Sequence, residues 1–202
     1  FHGLSNELPK GIHKTNVPAV VTIHDLIFIR FPKLYKPIDR KIYFQKVKYA
    51  CTSATKIIAI SNQTKADIVD FLKIDPSKIE VLYQSISPKY FKDPKNEELL
   101  SKYNLPEQFI LAVGTIEQRK NQLTILKAIH DSKIDTHVVF VGQPTSYAAS
   151  ILTFITENKM EDRVKFLNNI PRKELAALYR RASMSVYLSI FEGFGLPVIE
   201  SM

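Results

Sequence analysis

Short apolar runs rich in β-branched residues alternate with amphipathic stretches along almost the whole chain. Seven runs have the length and composition of buried strands, at residues 19–23, 56–60, 79–82, 109–113, 137–141, 164–166 and 184–188. Five stretches between them have the periodicity of helices, at residues 37–50, 63–73, 121–131, 146–158 and 172–182. Because strands that alternate with helices form parallel sheets covered by helices, the fold class we expect is α/β.

A polar break interrupts this alternation between residues 85 and 106, where Pro88 and the run Asp93-Pro94 accompany a short polar helix. A chain of 202 residues is long enough for one or two domains. We therefore expect two domains, at residues 1–88 and 89–202. The chain begins without methionine and stops inside a predicted helix, so we expect an interior piece of a longer protein with both domains truncated.

The chain carries a net charge of +8, with lysine and arginine spread along its length. This balance favours acidic partners such as nucleoside diphosphates or anionic lipid. The segment 33–49 alternates basic and apolar residues, so it either contacts an anionic membrane or covers the protein core. Its basic residues do not collect on one helical face, which favours the core. No segment has a nucleic-acid-binding signature, so we expect no nucleic-acid partner.

The single cysteine, Cys51, cannot form an internal disulfide, and we interpret it as a small buried hydrophobe. The chain contains no run of about 18 apolar residues, and its first ten residues lack the build of a signal peptide. These features predict a cytoplasmic protein, free or peripheral at the inner face of the membrane. No His, Cys, Asp and Glu residues have zinc-ligand spacing, so we expect no bound metal.

A glycine loop flanked by two acids follows the last predicted strand. Residues 191–200 read Phe-Glu-Gly-Phe-Gly-Leu-Pro-Val-Ile-Glu. The glycines permit a tight turn, and Pro197 suits the first turn of a helix, whose N–H groups favour anions. Glu192 and Glu200 can accept hydrogen bonds from sugar hydroxyls, so the segment predicts a sugar-nucleotide site. The alternative is that Glu192 is solvated and Glu200, in the first turn, only stabilises the helix dipole.

A second glycine turn, at residues 114–121, joins the predicted strand 109–113 to the predicted helix 121–131. Arg119 and Lys120 lie where that helix begins, and cations there cost roughly a few tenths of a kcal/mol unless they share an anion. An anion of phosphate size would remove this cost, and the two cations would stabilise a leaving diphosphate. The alternative is a solvated basic turn.

Together these two segments resemble the retaining glycosyltransferases of family four, whose members have a Gly…Arg-Lys-Asn turn and a Glu-Gly-Phe-Gly-Leu-Pro…Glu signature at this spacing. Upstream, Thr-Ile-His-Asp-Leu at residues 22–26, Phe-Pro at 31–32, Ile-Ala-Ile-Ser at 58–61 and Val-Leu-Tyr-Gln at 81–84 are similar to the acceptor-side half of the mannosyltransferase-like branch. The resemblance covers nearly the whole chain.

The resemblance implies the GT-B fold, with two Rossmann-like domains and an active site in the cleft between them. Residues 1–88 would be the C-terminal part of the acceptor domain, and residues 89–202 the N-terminal part of the donor domain. The implied reaction moves a hexose, mannose in this branch, from a nucleotide-diphosphate sugar to a saccharide or lipid-linked saccharide with retention of configuration. GDP-mannose is a better candidate than a UDP-sugar. The mechanism implied is front-face attack, in which the leaving diphosphate helps to deprotonate the acceptor.

The resemblance also implies roles for individual residues. The catalytic group is His24, Arg119, Lys120 and Glu192. The donor-binding group is Gly114, Thr115, Arg119, Lys120, Gly193, Phe194, Gly195, Leu196 and Glu200. His24 would contact the donor sugar, Arg119 and Lys120 the diphosphate, Glu192 the hexose and Glu200 the ribose.

Thr115 departs from the family pattern, because many members have a basic residue directly after the first glycine of this turn. The phosphate-binding charge would then rest on Arg119 and Lys120 alone. Two other functions stay open: a nucleotide-sugar epimerase of the same fold, which needs further acids in the cleft, and a non-catalytic basic binding module, whose affinity would collapse with salt.

Overall fold

The structure is a computed structural model that describes residues 1–86 and 98–202. The chain forms two compact units. Unit 1 comprises Phe1–Ser85 together with Phe191–Phe194, and unit 2 comprises Ile86–Ile190 together with Gly195–Met202. The predicted domain boundary at residue 88 lies outside the described residues.

Unit 1 contains a parallel sheet whose four strands follow the chain order, β1-β2-β3-β4. The strands are β1 (His2–Gly3), β2 (Val20–Ile23), β3 (Lys56–Ala59) and β4 (Ile79–Val81). The helices are α1 (Ile27–Arg30), α2 (Pro37–Ser53) and α3 (Asn62–Leu72). Because parallel neighbours need a crossover, α1 and α2 connect β2 to β3, and α3 connects β3 to β4.

The core of unit 1 forms where the sheet meets α2 and α3. Val21 and Ile57 from the sheet and Ile68 from α3 are fully buried in it. Helix α3 has a side-chain N-cap: the Ser61 hydroxyl accepts a hydrogen bond from the Thr64 N–H at 3.0 Å. A cap of this kind stabilises a helix by about 1 kcal/mol.

Unit 2 also contains a parallel four-stranded sheet, but its order is β7-β6-β5-β8. The strands are β5 (Phe109–Val113), β6 (His137–Val141), β7 (Val164–Leu167) and β8 (Met184–Ser185). The helices are α4 (Glu98–Lys102), α5 (Gln122–Ser132), α6 (Ala148–Glu157), α7 (Arg172–Arg181) and α8 (Leu196–Glu200). Strands β5 and β6 pair over their whole length, from Phe109 with His137 to Val113 with Val141.

Both faces of the unit 2 sheet are covered by helices. Phe109 and Leu111 pack on the face that carries α4 and α7, whereas Ala112 packs on the face that carries α5 and α6. A strand buried on both faces has a continuous apolar sequence, and this is why β5 and β6 have the bounds that the sequence predicts. The predicted α/β class is confirmed.

The last predicted strand is wrong in extent and burial. The sequence predicts a buried strand at 184–188, whereas β8 has two residues, Met184 and Ser185, and both are exposed. Strand β8 pairs with β5, and in the described parts of the chain no strand pairs with its other side, so it is less covered than its neighbours. None of the helices within residues 1–86 and 98–202 is long and apolar enough to span a bilayer.

Cys51 is fully buried in the core of unit 1, on the inner side of α2. Burial disfavours the thiolate and raises the pKa of the Cys51 thiol to about 12. The predicted small buried hydrophobe is confirmed.

The stability of the protein should therefore depend on Cys51 at alkaline pH. Because the folded pKa lies above the unfolded value of about 8.5, the stabilising contribution is complete below about pH 8.5 and is lost as the pH rises toward 12. Over this range the free energy of unfolding should fall by about 1.4 kcal/mol per pH unit more in the wild type than in Cys51→Ala. Urea unfolding of both proteins from neutral to alkaline pH measures the two slopes, and equal slopes would contradict the prediction.

Candidate functional site

The strand order of unit 2 reverses at β5. The next strand in the chain, β6, lies on one side of β5, and the last strand, β8, lies on the other. Open parallel sheets bind ligands beyond the carboxyl ends of their strands at such a reversal. The glycine turn at residues 114–121 leaves β5, and the segment that leads to Gly195 leaves β8. The topology thus brings the 114–121 turn close to residues 187–190, which follow β8 and precede the predicted glycine loop.

Two glycines that directly follow the neighbouring strands β5 and β6 fix the turn after β5. Gly114 has φ +139°, a conformation that side-chain-bearing residues rarely adopt. Gly142, which follows β6, lies so close that a Cβ added there would be 2.0 Å from the Gly114 carbonyl oxygen. Gln122 also holds the turn, because its Nε2 donates to the Thr115 carbonyl at 2.8 Å. Close contact between bare backbones therefore sets the path of the turn.

Arg119 and Lys120 lie in a single 3₁₀ turn, Gln118–Lys120, and not at the start of α5. Asn121 separates this turn from the helix, with the left-handed φ of 59°. The two cations thus lie directly before the N-cap of α5, within one residue of the predicted position. Arg119 has an internal anion: its guanidinium donates to the Glu117 carboxylate at 2.6 Å.

The segments after β5 and β8 contact each other directly. The Lys120 ammonium donates to the Tyr187 hydroxyl at 3.0 Å and lies 5.0 Å from the centroid of the Tyr187 ring. The Ile190 N–H donates to the Arg119 carbonyl at 2.8 Å. These contacts hold both basic residues at the reversal of the strand order.

Glu200 is the fifth residue of α8 and lies beyond its first turn, so the sequence interpretation that places it in the first helical turn is wrong. Helix α8 begins after Gly195, whose φ of +96° allows the sharp turn, and Leu196 is its first residue. The Glu200 carboxylate accepts a hydrogen bond from the Tyr179 hydroxyl at 3.2 Å. Tyr179 is buried on α7, so this contact ties the carboxylate to the body of unit 2.

His24 follows β2 in unit 1, at the carboxyl end of the strand. The Nε2 atom of the His24 ring lies 2.9 Å from the Leu4 carbonyl oxygen. The backbone N–H of His24 donates to the Asn6 Oδ1 at 2.8 Å. Because a carbonyl can only accept, Nε2 carries a proton and donates it to Leu4, which leaves Nδ1 for a second contact. The Asp25 Oδ1 accepts a hydrogen bond from the Ile27 N–H at 3.0 Å, just before α1.

The segment Phe191–Phe194, which carries Glu192, belongs to unit 1. Gly193 lies against the end of β2: an added Cβ would be 2.0 Å from the His24 carbonyl oxygen. Phe194 stacks on Tyr83, with ring centroids 5.9 Å apart. Within unit 1, the segment that contains Glu192 is therefore in contact with the backbone of His24 at the end of β2.

Arg30 fixes the first residue of that segment. Its guanidinium lies 5.2 Å from the centroid of the Phe191 ring and donates to the buried carboxylate of Asp67. The hydrogen bond with Asp67 raises the pKa of Arg30 above its ordinary value. The permanent charge of Arg30 compensates the burial of Asp67.

Sequence reasoning missed several polar residues at these strand ends. Tyr187 and Tyr179 act through partners that are distant in sequence, so no local pattern shows them. Gln122 Oε1 and Ser189 Oγ are buried and have no hydrogen-bond partner in the described parts of the chain. Buried polar atoms without partners are uncommon, which makes both atoms candidates for a ligand contact. Within residues 1–86 and 98–202, no three His, Cys, Asp or Glu side chains are grouped so that they could hold a metal ion.

The model of the family described as "Glycosyl transferases group 1" matches residues 95–202, and that of "Glycosyltransferase Family 4" matches residues 2–90. The chain belongs to the group 1 glycosyl transferases. The predicted family is confirmed, and the match includes both segments at the strand reversal of unit 2.

Two relatives are O-antigen chain mannosyltransferases. The chain is 29% identical over 183 residues to O-antigen chain mannosyltransferase RfbU of Salmonella typhimurium, covering 90% of this chain and 48% of that protein. It is 29% identical over 210 residues to O-antigen chain mannosyltransferase B of Escherichia coli, covering 100% of this chain and 54% of that protein. The chain thus spans about half the length of these relatives.

Among solved structures, the sucrose-phosphate synthase of Thermosynechococcus elongatus has a similar fold. The TM-score is 0.75 at 23% identity, covering 93% of this chain and 48% of that one. The predicted GT-B fold class, with two Rossmann-like units of parallel sheet, is confirmed.

Gly142→Ala should disturb the turn after β5, because the new Cβ would meet the Gly114 backbone and not a movable side chain. We expect a loss of stability of about 2 kcal/mol, in the range of overpacking. Gly11→Ala is the matched control: its added Cβ meets nothing within 4 Å, so it carries only the cost of a positive φ, about 1 kcal/mol. Urea unfolding of both variants makes the comparison, and a Gly142 variant as stable as the wild type would show that the approach of the two backbones is not tight.

Proposed function

We propose that the chain forms part of a retaining hexosyltransferase. The reaction transfers mannose from a nucleotide-diphosphate sugar to a saccharide or lipid-linked saccharide acceptor. The observation that carries this proposal is the meeting of the 114–121 turn with the segment after β8 at the strand reversal of unit 2. Membership of the group 1 glycosyl transferases and the similarity to two O-antigen mannosyltransferases support it.

In unit 2 the proposed ligand is the nucleotide diphosphate. Arg119 and Lys120 supply positive charge to the diphosphate, which gains negative charge as the bond to the hexose breaks. Their positions are set before the ligand arrives, Arg119 by Glu117 and Lys120 by Tyr187. The backbone of Gly114 and Thr115 forms the start of the same turn and lies next to the diphosphate. Glu200, held by Tyr179, binds the ribose hydroxyls.

In unit 1 the proposed ligand is the transferred hexose. Glu192 accepts hydrogen bonds from sugar hydroxyls, and the backbone of Gly193 and Phe194 lies next to it in unit 1. Gly195 and Leu196, the other two proposed donor-binding residues of this loop, belong to unit 2. His24 contacts the sugar through Nδ1, because Nε2 donates to the Leu4 carbonyl. Retention follows from front-face attack, in which the acceptor hydroxyl approaches on the side of the leaving diphosphate and passes its proton to it.

We propose GDP-mannose as the donor, supported by the mannosyltransferase names of the relatives, with UDP-sugars as the comparison. A reducing compartment, the cytoplasm, suits the free and buried Cys51. The epimerase and binding-module interpretations gain no support from the family match or from the names of these relatives.

Replacing Arg119 and Lys120 together by alanine should weaken binding of GDP by at least about 2 kcal/mol, because charge-assisted hydrogen bonds are lost. Calorimetry with GDP and UDP on the full-length protein measures the change. The matched control is the double alanine variant of Arg172 and Lys173, an adjacent Arg-Lys pair that is exposed at the start of α7. If both double variants bind GDP and UDP with the same affinity, the assignment of Arg119 and Lys120 to the diphosphate is wrong.

Substitutions of Glu200 and Glu192 should weaken the binding of different ligands. Glu200→Gln should weaken GDP and GDP-mannose alike, because both contain ribose, and its amide oxygen still accepts from Tyr179. Glu192→Gln should spare GDP and weaken only the sugar nucleotide. Parallel titrations of both variants with both ligands test the division of roles. Identical losses for both ligands in both variants would show that the division is wrong.

A further inference from the structure

A buried carboxylate holds the guanidinium of Arg30 in one orientation. Asp67, on α3, has a side chain that is 1% exposed, whereas the side chain of Arg30 is 33% exposed. Arg30 Nε donates to one oxygen of this carboxylate at 3.3 Å, and a terminal nitrogen donates to the other. Gln63 Nε2 also donates to the carboxylate, at 2.8 Å. Because a two-pronged ion pair fixes the plane of a guanidinium as well as its distance, Arg30 has little freedom to rotate.

Two aromatic rings lie against this guanidinium. Its central carbon is 5.5 Å from the centroid of the Phe71 ring, on α3, and 5.2 Å from the centroid of the Phe191 ring. The next residue in the chain, Phe31, also contacts Phe191, with ring centroids 5.5 Å apart. Two consecutive residues at the end of α1 therefore hold the ring of Phe191, the first residue of the segment 191–194.

The ion pair contributes orientation more than net stability. Burying two charges costs the hydration of both, and apolar residues of similar size often stabilise a fold as well or better. An apolar pair in place of Arg30 and Asp67 would fill the same space, but it would not present a flat cation at a fixed angle to the Phe191 ring. This arrangement is thus suited to fixing the position of Phe191.

We propose that Arg30, oriented by Asp67, is a positioning residue for Glu192. Phe191 and Glu192 share a peptide bond, and Gly193, on the other side of Glu192, packs its backbone against the end of β2. With Phe191 held by Arg30, the direction of the Glu192 side chain is set before a sugar binds. The inference rests on the proposed role of Glu192 in binding the hexose, and it adds a residue that acts without touching the sugar.

Calorimetry of the full-length protein with GDP and with GDP-mannose tests this role. The double variant Arg30→Leu with Asp67→Asn leaves no buried charge without a partner, so we expect it to fold. Its affinity for GDP-mannose should fall at least about tenfold, because the hexose meets a displaced Glu192. Its affinity for GDP, which lacks the hexose, should stay close to the wild-type value. Phe191→Leu should act in the same way, and Phe191→Tyr, which keeps the ring, should bind both ligands like the wild type.

Two comparisons separate positioning from stability. Ile68→Ala removes a fully buried side chain next to Asp67 on α3. It should lower the temperature of unfolding but leave the ratio of the GDP-mannose affinity to the GDP affinity unchanged. The losses in the Arg30 and Asp67 double variant and in Phe191→Leu should not add when the substitutions are combined, because both release the same segment.

The outcome of Glu192→Gln distinguishes this inference from the proposed function. If Glu192→Gln loses affinity for GDP-mannose alone and the Arg30 and Asp67 double variant keeps the wild-type ratio, the positioning role is wrong and the proposed function stands. If both keep the wild-type ratio, the role of Glu192 and the positioning role are both wrong. An equal fall of the ratio in Ile68→Ala also overturns the proposal, because it would show a general loosening of unit 1.

Discussion

The contact between Gly142 and the carbonyl of Gly114 is the constraint on which the site in unit 2 depends. Both residues end neighbouring strands, and only the absence of a side chain at 142 allows the two backbones to approach so closely. The Gly114 carbonyl can therefore turn toward β6, and the chain leaves β5 in a direction that carries Arg119 and Lys120 toward the segment after β8. The close approach of the two backbones thus sets the direction of the turn, and the side-chain contacts of Arg119 and Lys120 then fix their charges at the strand reversal.

The charge at this place is already partly compensated. Arg119 is mostly buried, and Glu117 pairs with it at 2.6 Å. A buried guanidinium without an anion would be costly, so Glu117 stabilises the position that a diphosphate would need. An incoming diphosphate would then share the guanidinium, which has five N–H donors, and would not have to displace the carboxylate. Lys120 is held by the hydroxyl and ring of Tyr187.

The sequence predicts the elements that are buried on both faces. Strands β5 and β6 have the predicted bounds because almost every residue in them is apolar. Helix α3 begins one residue before its predicted start, directly after the Ser61 cap. The extent of β8 and the position of Glu200 beyond the first turn of α8 were not predictable in this way. Among the described residues, strand β8 pairs with β5 alone. The two tyrosines that contact the site are 21 and 67 residues from their partners. Pairings over such separations are set by the topology of the sheet and leave no local pattern.

In unit 1 the backbone near Glu192 is held at both ends of a four-residue segment. Phe191 lies against Arg30, whose charge is in turn required by the buried Asp67, and Phe194 stacks on Tyr83. Gly193, between them, lies so close to the His24 carbonyl that no larger residue fits without a backbone shift. A displacement of His24 would consequently move Glu192 with it. If both residues contact the same sugar, their separation is a property of the packed backbone and not of two independent side chains, and misplacement of about 1 Å already costs a hundredfold in rate. The ion pair of Arg30 with Asp67, which touches no proposed ligand, therefore acts on the site through the position of Phe191.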